Sequence, residues 1–67
     1  MTIEETKDMI EGMQDRIATF ADCATMAAKF GHERLVEKYV HRVALCSRGL
    51  KRLQLHLEGL KHENNAI

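Results

Sequence analysis

Between Glu33 and His62 the apolar residues keep an unbroken heptad rhythm. Val36, Tyr39, Val43, Cys46, Leu50, Leu53, Leu57 and Leu60 follow one another at alternating steps of three and four. On a helix, such spacing sets all eight on one stripe. A stripe that long must be covered by other helices, so the chain is committed to a helical assembly. A second series precedes it: Ile3, Thr6, Ile10, Met13, Ile17, Phe20, Ala24 and Ala27. Met9, Ala21, Ala28 and Phe30 widen its apolar arc. Small seam residues toward its end let two helices approach closely, and Phe20 and Phe30 are expected to fill the turn-side core.

The two series do not fit one continuous helix. Their stripes would sit roughly 120° apart, and no single partner could cover both. Gly31 stands at the discontinuity, where a left-handed C-cap is expected. Lys29 suits the negative end of a first helix and Glu33 the positive start of a second. Thr2 and Glu5 have the spacing of a capping box. The sequence therefore predicts an all-α fold, an antiparallel helical hairpin. Helix 1 should span about 3–30, the turn about 30–32 and helix 2 about 33–62, in a single domain over 1–67.

Proline is absent, which favours long arms. Gly12, Gly49 and Gly59 weigh against them, each costing ~1 kcal/mol relative to alanine inside a helix. Ser47-Arg48-Gly49 is the candidate second break, but Cys46 and Leu50 keep register across it. The segment from Glu63 to Ile67 is expected to fray.

A chain of 67 residues rarely builds a sufficient core alone. One seam would leave Leu35, Val40, Met9 and Phe30 half-exposed. Pairing two hairpins into a dimeric four-helix bundle covers them, so a homodimer is expected, although a different protein could supply the second hairpin. Leu53, in the middle of the second seam, should be deeply buried.

Charge is balanced overall but uneven along the chain. Residues 1–31 hold Lys7, Arg16 and Lys29 against Glu4, Glu5, Asp8, Glu11, Asp15 and Asp22. Residues 32–67 hold Arg34, Lys38, Arg42, Arg48, Lys51, Arg52 and Lys61 against Glu33, Glu37, Glu58 and Glu63. The halves thus carry opposite charge, which suits mutual packing. The acidic first arm opposes binding to anionic lipid, and no apolar run reaches membrane-spanning length. The acidic N-terminus lacks the apolar region of a secretory signal. A cytoplasmic setting with both Cys23 and Cys46 reduced is expected.

Chemical motifs are sparse. Ala27 and Gly31 have the spacing of a helix-turn-helix turn, with Val40 at a later core position. Yet Glu37 falls where that motif wants an apolar residue, and the arms are too long. Among His32, His41, His56, His62, Cys23 and Cys46, no two histidines are four apart and no Cys-x-x-Cys occurs, so no metal is expected. Glu58 and His62, four apart, read as a helix-surface pair. In the hairpin Cys23 would lie opposite Val40 and Cys46 opposite Ile17, too far apart along the axis for a disulfide. Cys46 and Ser47 lack a base at an evident spacing, so neither enzymatic activity nor a cofactor is expected.

One stripe remains unexplained. His41, Leu45, Arg48, Arg52 and Leu55 follow at steps of four, three, four and three, opposite the seam. Arginines on an outward face need no reason, but leucines beside them do. A docking stripe is the functional reading: arginine for charge, leucine for desolvated anchors. The expected function is a small non-enzymatic regulator or inhibitor that binds a protein partner with an acidic surface. The alternative is a nucleic-acid (RNA) binding regulator with Lys38, Arg48, Lys51 and Arg52 on phosphates. A dimeric helical hairpin of this size is similar in architecture to plasmid-encoded RNA-binding regulators built as four-helix bundles. The likeness is one of architecture and carries over no residue. Aromatics for base stacking are missing from the basic face, with Tyr39 in the seam and Phe20 and Phe30 assigned to the turn-side core.

Overall fold

A computed structural model describes residues 1–65, with side-chain detail through residue 63. It contains two helices, α1 over Ile3–Lys29 and α2 over Glu33–Asn65, packed along their length as an antiparallel hairpin.

Local chemistry accounts for each boundary. Thr2 caps α1: its hydroxyl accepts from the Glu5 amide at 3.1 Å, and its own amide donates to the Glu5 carboxylate at 3.3 Å. Both halves of the capping box are present. At the other end, the His32 amide donates to the Ala27 carbonyl and the Gly31 amide to the Ala28 carbonyl. This Schellman pair satisfies carbonyls that the last turn would leave open. It requires a left-handed residue, and Gly31 supplies it at φ 73°. The Val36 amide then donates to the His32 carbonyl, and α2 begins.

The segment Ser47-Arg48-Gly49 does not break α2. Gly49 lies against α1, where a Cβ would meet the Met13 methyl at 3.3 Å. The helix also runs to Asn65, past the expected end near His62, because Glu63, Asn64 and Asn65 include no glycine or proline to stop it. The expected fraying of Ala66 and Ile67 lies outside the described residues.

All sixteen residues of the two heptad series are shielded, at least in part. Only two reach full burial, Thr6 at 0% and Ala27 at 6% exposure. The Thr6 hydroxyl, enclosed by the seam, donates to the Thr2 carbonyl at 2.8 Å. Leu53, expected to be deeply buried, is only half-buried in the hairpin. The dimensions give the reason. The molecule measures 55 × 15 × 13 Å, and its least dimension is about one helix diameter. It is a single layer, whereas a hydrophobic core forms between layers.

Candidate partner-binding surfaces

Antiparallel packing brings like flanks of the two seams together, so the hairpin has two broad faces. One carries Met9, Arg16, Cys23 and Phe30 from α1 beside Leu35, Arg42, Gly49 and His56 from α2. The other carries Lys7, Gln14, Ala21 and Ala28 beside Val40, Ser47, Gln54 and Lys61. The surface depressions follow this division. Three run in line down the first face. The turn-side one is lined by Asp22, Cys23, Met26, Ala27, Phe30, His32, Leu35 and Tyr39. The middle one is lined by Arg16, Phe20, Arg42, Leu45 and Cys46. The last is lined by Asp8, Met9, Gly12, Met13 and Arg16. Two others lie on the second face, one at Ala28, Gly31, Glu33, Val36 and Glu37 and one at Lys51, Gln54, Leu55, Leu57 and Glu58.

The first face carries the larger share of uncovered apolar side chains, although Arg16, Arg42 and His56 are exposed on it as well. Met9, Met26, Phe30 and Leu35 are all exposed on it, Phe30 at 67%, with Leu45 on its outer shoulder. Phe30 was expected in the turn-side core. As the C-cap of α1 it instead lies over a flank against which nothing packs. On the second face the large exposed apolar residues are Val40 and, at its outer edge, Leu55. Inside the seam, the Phe20 ring stacks with Tyr39 at 6.2 Å between centroids. The Arg42 guanidinium closes over Phe20 at 5.6 Å from the ring centre. That cation–π contact lets a flanking arginine shield the aromatic pair from the open side.

His41, Leu45, Arg48, Arg52 and Leu55 are all exposed on α2, Leu45 at 51% and Leu55 at 65%. They do not share one groove. His41, Arg48 and Leu55 form the ridge farthest from the seam, while Leu45 and Arg52 lie on the shoulder toward the apolar face. Leu45 borders the depression around Phe20 and Cys46, whereas Leu55 borders the one around Lys51 and Glu58. Lys38, Arg48, Lys51 and Arg52 are exposed too, spread over an arc of about 100° around the helix.

Sequence reasoning missed Gly12, Gly49, Met26 and Cys23 as members of one face. Their heptad positions carried that signal. Cys23 and Cys46 are free thiols, each partly shielded. Among the described residues, the electrostatic perturbation falls at Glu5. Hydrogen bonds from Thr2, side chain first and backbone second, hold its carboxyl below the ordinary value of 4.5. Among the described residues, no three His, Cys, Asp or Glu side chains are grouped to hold a metal ion. No described helix is long and apolar enough to cross a membrane. Comparison with models of known protein families, with curated proteins and with solved structures finds no match.

Proposed function

We propose that this chain is a small non-enzymatic regulatory or inhibitory protein that acts by binding another protein through the outward surface of α2. Its working unit is a homodimeric four-helix bundle in a reducing, cytoplasmic setting, and the partner presents an acidic surface. One observation carries the binding role. Leu45 and Leu55 stand exposed beside Arg48 and Arg52 on a helix whose apolar stripe is already spent on the seam. Leucine flanked by arginine supplies desolvated contact together with carboxylate recognition, the combination that anchors protein interfaces.

Arg48→Glu combined with Arg52→Glu tests this reading. Helix content and assembly mass should match the parent, since exposed substitutions shift stability by less than ~0.5 kcal/mol. Affinity for the protein recovered with the wild type from nuclease-treated lysate should fall at least tenfold, or ~1.4 kcal/mol. Unchanged affinity would reduce these residues to a solvated face.

The second reading is RNA binding, supported by the exposure of Lys38, Arg48, Lys51 and Arg52 along α2. It requires an affinity that falls steeply with salt. Leu55→Ala separates the two. A protein partner should dissociate faster without that anchor, and a phosphate backbone should be indifferent.

A further inference from the structure

We infer that a second copy of this chain covers the apolar face turn against turn, so that α1 of each copy lies across α2 of the other. This deepens the homodimer reading and rests on it.

The area argues first. The chain exposes 5360 Å². A folded monomer of 7.7 kDa should expose roughly 4,300 Å². The excess is about what one subunit buries in a standard protein interface, roughly 800 Å². All of the half-buried seam residues need cover from one side, and the apolar face is the side that offers it.

The helical glycines select the same face. Gly12 and Gly49 both lie on it, within about one residue of the same axial level, since Gly49 is set against Met13. Nothing in the hairpin itself lies within 4 Å of a Cβ at Gly12. Glycine there costs helix stability without serving any contact of the single chain. Close approach of another backbone gives it a use.

Apolarity and charge then choose the orientation. Two face-to-face hairpins related by a twofold axis can place their turns together or at opposite ends. With turns together, Met26, Phe30 and Leu35 of both copies form one apolar cluster. The net-acidic α1 lies on the net-basic second half, and Asp22 comes level with Lys38 and Arg42 of the other copy. With turns opposed, α1 lies on α1 and α2 on α2. Like charges then face each other along both pairs, and Phe30 and Leu35 overlie the polar end of the bundle.

Double electron–electron resonance distinguishes the two orientations. A nitroxide is placed on Glu33→Cys, beside the turn on the polar face, in a chain with Cys23→Ser and Cys46→Ala. Sedimentation of the same sample gives its mass. A dimer with a spin–spin distance below about 40 Å, two single layers plus label arms, is expected. A dimer with a distance near the 55 Å length of the hairpin would overturn the orientation and leave the dimer standing. A folded monomer would overturn both. If the spin-labelled chain does not fold, isotope-filtered NOE spectra of mixed labelled and unlabelled wild type separate the same arrangements. Contacts between copies from the Phe30 ring to Leu35 support turn against turn, and contacts between copies from Leu35 to Leu60 contradict it.

Discussion

The two broad faces of the hairpin flank the same pair of heptad stripes, yet they differ in kind. One presents Met9, Met26, Phe30 and Leu35 to solvent among Arg16, Arg42 and His56, and holds Gly12 and Gly49. The other presents Lys7, Gln14, Ser47, Gln54 and Lys61, with Val40 and, at its outer edge, Leu55 as its large apolar side chains. A seam between two helices needs one stripe on each. Apolar residues beyond that stripe are stabilising only if a further layer covers them. The difference therefore separates what holds the hairpin together from what it offers to another molecule.

The largest expected effect is at Leu53. In the hairpin alone this residue is half-buried, and truncation to alanine would remove only part of a leucine's burial energy. Beneath a second layer, Leu53→Ala should cost ~2–5 kcal/mol in chemical denaturation. A cost under ~1 kcal/mol would mean that no layer covers the seam.

Next come the faces themselves. Phe30→Glu with Leu35→Glu places two carboxylates on the apolar side. Self-association measured by analytical ultracentrifugation should weaken at least a hundredfold, or ~2.7 kcal/mol. Gln54→Glu with Ser47→Glu on the polar side should shift association by less than ~0.5 kcal/mol. Equal losses from both pairs would erase the distinction between the faces.

Gly12→Ala gives a smaller effect with an informative sign. Helix propensity and the open space around Gly12 predict a gain of ~0.5–1 kcal/mol for an isolated hairpin. Close packing of a second backbone predicts a loss instead. Thermal melting at several protein concentrations reads the sign, and a clear gain would argue against close approach there.

The smallest effect lies away from both faces. Glu5 is held below its ordinary pKa of 4.5 by Thr2. Its ionised form therefore contributes stability above that value, lost as pH falls through the lower folded pKa. Glu5→Gln should remove this part of the acid dependence and leave association at neutral pH unchanged. An unchanged acid limb would show that the capping box does not contribute to it.

Much of the fold was legible because period alone fixes a helix face. The two rhythms from Ile3 to Ala27 and from Val36 to Leu60 named the shielded residues, and Gly31 named the turn. Cys23 and Gly49, shielded just outside the stripe, were not named, because shielding there depends on how far the two axes lean. The depth of burial at Leu53 was overstated, since a heptad tells which way a side chain points and not how many layers lie above it. The end of α2 was placed early because polar residues alone do not stop a helix. The outward set from His41 to Leu55 was legible as exposed. Its division between two depressions depends on how Leu45 and Leu55 lean, which spacing does not fix.

The layer missing from this hairpin is most directly sought in its mass in solution. Sedimentation velocity of the unmodified chain at micromolar concentration should give a folded, helical species of twice 7.7 kDa. A single sharp boundary at 7.7 kDa, with full helicity and cooperative unfolding, would contradict the assembly of two hairpins.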